Sequence, residues 1–226
     1  MLKKKVFLVL STFLVFFFSA TLAQAQKYKV IMETSQGVIK MELFDETPKH
    51  RDNFVKLAKE GFYDDLLFHR VIKGFMIQGG DQESRDAEPG KRLGMGSLGY
   101  RVDAEFHPDL IHVRGALAAA RDNNPEKASS SNQFYIVDGK KFNPEELEML
   151  EQRRGKEYTD KQKELYKEEG GAPHLDGEYT VYGRVIDGMD VVDRIAASEK
   201  DNFDRPKEDQ KIIRVKVRKK FLFFYI

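Results

Sequence analysis

The sequence of 226 residues contains no cysteine. This absence excludes disulfide bonds, thiol catalysis and a lipid-modified cysteine at a signal cleavage site. The chain must therefore be held together by its apolar core alone. A chain of this length can bury one sizeable core, which predicts a single main domain.

The chain also lacks an excess of either charge, with 38 lysine and arginine residues against 37 aspartate and glutamate residues. Domains that bind nucleic acid usually carry a clustered basic excess, so we predict no nucleic-acid partner. The five histidines show no metal-ligand spacing with carboxylates, and we predict neither a metal nor another cofactor. No internal repeat period is visible, which argues against a repeat architecture.

The one long apolar run lies at the N-terminus. Met1–Lys5 carries three lysines, Val6–Ala20 is almost wholly apolar, and an Ala-Gln-Ala sequence ends at Ala25. A charged start, an apolar stretch and a small-residue cleavage site together predict a secretory signal peptide over residues 1–25. The predicted mature chain would lose three lysines and no acid, which leaves a net charge of about −2.

Cleavage after Ala25 predicts an exported, periplasmic protein. The alternative is an uncleaved anchor, because Val6–Ala23 reaches the length of a short membrane span. A membrane partner is expected only in that case.

Short apolar and alternating segments predict a mainly β fold. Thr47-Pro48 starts one helix that ends before Gly61, and Met189–Ala197 is typical of a second. Several short strands with few helices predict a closed antiparallel barrel. The predicted strands are Tyr28–Glu33, Val38–Phe44, Leu66–Val71, Phe75–Gln78, Gly115–Ala120, Gln133–Val137, Tyr179–Val185 and Ile212–Val217.

The segment from about 143 to 171 differs from the rest of the chain. It is highly charged and rich in helix formers, with helix-start signals at Asn143-Pro144 and Thr159-Asp160. We predict a helical hairpin inserted between two strands, with a solvated charged loop as the alternative. The apolar end of the chain, Phe221–Ile226, has three interpretations: it extends the last strand, it packs on the barrel, or it binds a partner.

Four motifs resemble the cyclophilin family of peptidyl-prolyl cis–trans isomerases. FHRVIKGFMIQGGD at 68–81 resembles the family signature. GALAAAR at 115–121, SNQFYI at 131–136 and LDGEYTVYG at 175–183 resemble three further motifs in the family's order. The resemblance covers roughly 28–217. It implies an eight-stranded barrel capped by two helices, and an enzyme without cofactor that isomerises X–Pro bonds in unfolded or folding proteins.

The resemblance also implies roles for individual residues. Arg70 matches the family's catalytic arginine, and Gln78 matches the glutamine that braces it and binds substrate backbone. On residue type alone, an arginine in an apolar strand is more often part of a structural ion pair. The resemblance implies substrate-binding positions at Phe75, Met76, Ala120, Arg121, Gln133, Tyr135, His174, Leu175 and Tyr179.

Three features depart from the family pattern. Tyr135 stands where the family usually has phenylalanine, which predicts a narrower or more polar pocket wall. His174 stands where cyclosporin-sensitive relatives have tryptophan, which predicts weak binding of that drug. The insert at about 143–171 is absent from minimal members, and we expect it to extend the rim of the groove and recognise protein substrates, leaving the proline chemistry to the barrel.

Three functions remain open on the sequence. The first is an isomerase that accelerates X–Pro isomerisation in exported proteins. The second is a binding module, a chaperone or scaffold that holds proline-containing segments with incidental catalysis. The third is a signal-anchored assembly factor, which depends on residues 1–25 and the insert. The presence of Arg70 and Gln78 favours the first.

Overall fold

The computed structural model describes residues 28–221 and 224–225. The predicted signal peptide, residues 1–25, lies outside the described residues. No helix within the described ranges is long and apolar enough to cross a membrane.

The centre of the fold is a nine-stranded sheet in which each pair of neighbouring strands is antiparallel. Its order along the sheet is β11-β10-β1-β2-β9-β6-β8-β4-β3, and β5 pairs separately with β7. The strands are β1 (Tyr28–Thr34), β2 (Gly37–Leu43), β3 (Arg70–Ile72), β4 (Met76–Gly79), β5 (Arg101–Val102), β6 (Ala116–Ala119), β7 (Ser129–Ser130), β8 (Phe134–Val137), β9 (Val181–Asp187), β10 (Ile212–Phe221) and β11 (Phe224–Tyr225).

The sheet curls into a half-barrel, and the structure does not show the predicted closed eight-stranded barrel as one continuous ladder. Among the described residues, β3 pairs only with β4 and forms one edge of the sheet. An antiparallel bridge between Leu67 and Lys211 links the segment before β3 to the start of β10. Backbone hydrogen bonds flank it: the N–H of Phe68 donates to the oxygen of Gln210 at 2.8 Å, and the N–H of Ile212 donates to the oxygen of Leu66 at 2.7 Å. The predicted strand Leu66–Val71 therefore pairs in part before Arg70, where the regular strand begins.

Two helices cover the main core, as predicted. Helix α1 (Pro48–Lys59) packs against β9 and β10, and α4 (Met189–Ala196) packs against β2, β3 and β4. Each helix buries an apolar stripe, with Phe54 and Leu57 on α1 and Val192 and Ile195 on α4. Both stripes join the same cluster as the inward residues of β1 and β2.

The strands β4, β6 and β8 are largely buried on both faces, which explains the continuous apolar sequences of β6 and β8. Ile77, Leu117 and Ile136 belong to the main core under the helices. Their chain neighbours Met76, Ala118 and Tyr135 belong to a second cluster on the opposite face. Because side chains alternate along a strand, this second face is where a site can be built on the sheet.

The inserted segment contains the two predicted helices, so the charged-loop alternative is wrong. They are α2 (Pro144–Arg154) and α3 (Asp160–Glu168), and Asn143 and Thr159 each form a capping box at the start of one of them. Tyr158 and Tyr166 pack with Leu147 and Ile111 in a small core of their own. The insert is therefore docked on the sheet domain by buried side chains.

The end of the chain continues the last strand. Strand β10 runs to Phe221 and then pairs with β11, which places Lys220 opposite Tyr225. Strand extension is thus the interpretation that the structure shows for the described part of this segment.

Candidate active site

One row of paired residues crosses the second face of the sheet. Arg70 on β3 lies opposite Gln78 on β4, Gln78 lies opposite Tyr135 on β8, and Tyr135 lies opposite Ala118 on β6. Directly paired residues project their side chains to the same face. The register therefore brings a cation, an amide and an aromatic ring side by side, although they come from separate motifs.

These side chains border a cavity of about 130 Å³. Its wall combines aliphatic and aromatic side chains with the polar groups of Arg70, Gln78 and Arg121. Nine of the eleven residues predicted for the site line it: Arg70, Phe75, Met76, Gln78, Ala120, Arg121, Tyr135, Leu175 and Tyr179. We call this cavity the proline pocket, after the role that the sequence resemblance predicts for these residues.

The two other predicted residues border the pocket without lining it. Gln133 accepts a hydrogen bond from the Gln78 amide at 3.0 Å, and its own amide donates to the backbone oxygens of Gly94 and Gly96, each at 3.0 Å. The ring of His174 lies 5.4 Å from the ring of Phe75, centre to centre. Gln133 thus fixes Gln78, and His174 supports one apolar wall.

Arg70 keeps most of its donors available. Its closest ionic contact joins Nε to Asp204 Oδ2 at 3.6 Å, which is too long for a good hydrogen bond. The expected brace from Gln78 to Arg70 is absent among the described residues, where the Gln78 amide N–H donates to Gln133. The guanidinium therefore stands at the pocket with its planar fork free to donate to a substrate.

Arg121 is held differently. Its Nε donates to the backbone oxygen of Glu178 at 2.9 Å, its Nη2 lies 3.2 Å from the Glu178 carboxylate, and its guanidinium covers the ring of Tyr179 at 4.8 Å. Glu178 also contacts Lys127 and Arg154, and these cations lower the pKa of its carboxyl group, with the Lys127 hydrogen bond the largest cause. Arg121 is thus a fixed part of the wall.

The hydroxyl of Tyr135 is engaged behind the pocket wall. It lies 2.9 Å from Nε2 of His112, and the two rings are nearly parallel. His112 is fully buried and faces Asp176, whose other oxygen accepts from the hydroxyl of Tyr166. The expected polarisation of the pocket by Tyr135 is therefore limited, because its hydroxyl is hydrogen-bonded to His112 inside the protein.

A second cavity of about 360 Å³ adjoins the pocket and shares Tyr179 with it. One side is formed by the loop around Phe106 and Leu110, and the other by Lys156 and Gln162 of the insert. The insert therefore borders the substrate face, as its position in the sequence predicted. Its role in recognising protein substrates stays a prediction.

Sequence reasoning missed the residues that support the pocket from behind. His112 and Tyr166 carry no motif signal, and Arg154 donates from α2 to the backbone oxygen of His174. The sequence signal available for this support was that Asp176 lies in the LDGEYTVYG motif. Within the described part of the chain, no group of three acidic or histidine side chains could hold a metal ion.

We expect isomerase activity to change little between about pH 6 and 8. Arg70 stays charged across this range. Burial lowers the pKa of the adjacent His69 to about 4, which keeps that ring neutral in this range, and partial burial also lowers the pKa of His174. Initial rates on a proline peptide across this range test the expectation. A sigmoidal change centred near pH 6.5 would assign a histidine to the chemistry.

The curled antiparallel sheet carries a pocket in which two arginines, Arg70 and Arg121, stand beside aromatic and aliphatic side chains. The family model described as cyclophilin type peptidyl-prolyl cis-trans isomerase/CLD matches residues 29–217. The chain therefore belongs to the cyclophilin family, and it is a peptidyl-prolyl cis–trans isomerase.

Individual relatives agree with this assignment. A putative peptidyl-prolyl cis-trans isomerase of Staphylococcus epidermidis is 36% identical over 190 residues, which cover 82% of this chain and 89% of that protein. A putative bifunctional phosphatase/peptidyl-prolyl cis-trans isomerase of Streptococcus pyogenes is 39% identical over 185 residues, 80% of this chain. The match spans 37% of that protein's length.

Solved structures show the same fold. The crystal structure of a Cryptosporidium parvum cyclophilin type isomerase superposes with a TM-score of 0.62 at 26% identity, and covers 84% of this chain and 97% of that one. A structure of the same protein in the presence of the dipeptide Ala-Pro superposes with a TM-score of 0.59, also at 26% identity, over 83% and 96% of the two chains.

Proposed function

We propose that this isomerase acts on X–Pro bonds of unfolded or folding proteins outside the cytoplasm, with Arg70 as the catalytic group. The observation that carries the catalytic part is the row of Arg70, Gln78 and Tyr135 along one face of the proline pocket. The Ala-Pro dipeptide present with the Cryptosporidium parvum relative supports a proline-containing substrate. The charged and apolar pattern of residues 1–25 supports export.

The chemistry needs few groups. Rotation about an X–Pro bond breaks amide resonance and meets a barrier of about 18–20 kcal/mol. No covalent bond forms or breaks, so no nucleophile or metal is required. As the bond twists, the lone pair of the proline nitrogen localises and becomes a better hydrogen-bond acceptor. A donor that bonds the twisted state more strongly than either planar state lowers the barrier.

The pocket provides such a donor in a favourable setting. The Arg70 guanidinium is always charged and stands beside apolar walls formed by Phe75, Met76 and Leu175. A preplaced donor in a site of low polarity stabilises developing charge more than the same group does in water. We assign Gln78 to the substrate backbone, because Gln133 fixes its amide at the pocket edge.

A protease-free isomerisation assay on the purified protein tests the catalytic proposal. We expect catalysed exchange between the cis and trans forms of a short proline peptide, followed by NMR or fluorescence. A protein that binds the peptide but leaves the exchange rate unchanged would support the binding-module alternative instead.

Export predicts that the protein in its own host begins near Gln26 and is recovered outside the cytoplasm. Signal peptidase removes the segment up to a small-residue site, so the expected mass lacks residues 1–25. Intact-mass spectrometry of the cell fractions measures this directly. Full-length chain in the membrane fraction would contradict cleavage and favour the anchor.

A further inference from the structure

A chain of buried hydrogen bonds joins the insert to the proline pocket. Tyr166 on α3 is fully buried, and its hydroxyl lies 2.6 Å from Asp176 Oδ2. Asp176 Oδ1 accepts the backbone N–H of His112 at 2.8 Å and faces His112 Nδ1 at 2.7 Å. His112 Nε2 lies 2.9 Å from the hydroxyl of Tyr135, which lines the pocket. Three side-chain hydrogen bonds therefore connect a helix of the insert to a pocket wall.

The chemistry of the groups assigns a direction to each bond. An ionised Asp176 can only accept, so the Tyr166 hydroxyl and His112 Nδ1–H both donate to it. In a neutral imidazole with its proton on Nδ1, Nε2 is an acceptor and receives the proton of Tyr135. Burial raises the pKa of both tyrosines, which keeps these protons in place at neutral pH. Each hydrogen bond in the series is then donated in the direction of Asp176.

The two tyrosines at the ends of this series of hydrogen bonds lie at two of the places where the sequence departs from the cyclophilin pattern. Tyr135 carries a hydroxyl where the family usually has phenylalanine, and Tyr166 belongs to the insert that minimal members lack. A buried hydroxyl at Tyr135 needs a partner. His112 provides it only if its tautomer is fixed, and Asp176 fixes that tautomer. Tyr166 in turn satisfies the remaining oxygen of Asp176.

We propose that Tyr166 is a positioning residue for the proline pocket, which acts through Asp176 and His112 to hold the ring and hydroxyl of Tyr135 in place. The insert is then part of the pocket's support. This inference rests on the proposed pocket, because it assigns Tyr135 to the wall that contacts the proline ring. It replaces the expectation that the insert leaves the proline chemistry entirely to the sheet domain.

The expected effect follows from what Tyr135 touches. Its ring contacts the proline in the planar substrate and in the twisted state alike. A displaced ring therefore weakens the binding of both states by similar amounts. Such uniform losses raise KM and leave kcat nearly unchanged. For Tyr166→Phe we expect KM for a short proline peptide to rise by about threefold to tenfold, the range for one lost buried hydrogen bond.

The decisive experiment is a double-mutant cycle with Tyr166→Phe, Tyr135→Phe and the pair, each checked for folding by thermal melting. If Tyr166 acts through the hydroxyl of Tyr135, adding Tyr166→Phe to Tyr135→Phe changes KM by less than about twofold. The same increase in both backgrounds would overturn the proposal, because the effect would then bypass Tyr135.

Tyr158→Phe is the matched control. Tyr158 is also a buried tyrosine of the insert, but its hydroxyl donates to the backbone oxygen of Pro173. We expect KM to stay at the wild-type value. An increase equal to that of Tyr166→Phe would mean that any loosened insert impairs the pocket, and would contradict a specific role for Tyr166. Wild-type kcat reports separately on the proposed function, since an inactive wild type would refute that function itself.

Discussion

Replacing Arg70 by alanine is expected to lower kcat/KM for a proline peptide by one or more orders of magnitude. The substitution removes the one donor that we assign to the twisted X–Pro bond, while the apolar walls of the pocket remain. Each tenfold loss corresponds to about 1.4 kcal/mol of transition-state stabilisation. Because this donor acts mainly in the twisted state, the loss should appear in kcat.

The Arg70→Ala protein should stay folded, which makes the result interpretable. Arg70 lies on an edge strand, and its contact with Asp204 is a partly exposed ion pair at 3.6 Å. Pairs of this kind contribute about 0–1 kcal/mol to stability. Circular dichroism and isomerisation rates measured on the same preparation separate a catalytic loss from a folding loss.

Two further variants sharpen the comparison. Arg70→Lys keeps the charge but loses the planar fork, and we expect it to recover only part of the activity. Arg184→Ala removes an arginine of β9 that is paired with Glu42 at 2.7 Å, remote in register from Arg70, and should leave activity unchanged. Full activity in a folded Arg70→Ala protein would refute the assigned role.

Much of the site could be predicted because it follows a local pattern. Side chains alternate along a strand, so Met76 and Gln78 share a face and Ile77 takes the other. The motifs that carry Arg70, Gln78 and Tyr135 each lie in or next to one short strand. Once these strands pair in register, the row across the sheet follows from backbone geometry alone.

The support behind the pocket could not be predicted in the same way. His112 and Asp176 are separated by 64 residues, and Tyr166 reaches Asp176 from the insert, so these contacts exist only in the folded tertiary structure. The strand pattern at Leu66–Phe68 was only partly right: these residues are buried and make backbone hydrogen bonds to the start of β10, but they do not form a regular strand. Hydrophobic periodicity predicts which face of a segment is buried, but it does not identify the strand with which that segment pairs.

Replacing Gly171 by alanine is expected to destabilise the protein by about 3–5 kcal/mol, the sum of a backbone strain and a steric overlap. Gly171 closes the base of the insert: its N–H donates to the backbone oxygen of Lys140 at 2.9 Å. Its φ of +155° disfavours any side chain, and a Cβ atom there would lie 2.2 Å from the backbone oxygen of His112 and 2.7 Å from the ring of Tyr166.

The matched control is Gly155→Ala, in the same insert. Gly155 ends α2 with a φ of +60°, but a Cβ atom there meets nothing within 4 Å. It therefore bears only the cost of a left-handed backbone, about 1–2 kcal/mol. For a chain of this size, about 2–4 °C of melting temperature corresponds to 1 kcal/mol. We expect a fall of roughly 6–20 °C for Gly171→Ala and of roughly 2–8 °C for Gly155→Ala.

Melting curves of both variants, read by near-ultraviolet circular dichroism, distinguish a docked insert from an appended one. If the base of the insert is packed into the sheet domain as the contacts of Gly171 indicate, the larger loss appears in the main unfolding transition, because His112 and Tyr166 are displaced together. Equal shifts for the two variants would show that the insert unfolds independently and that its buried contacts with His112 and Asp176 contribute little to the stability of the domain.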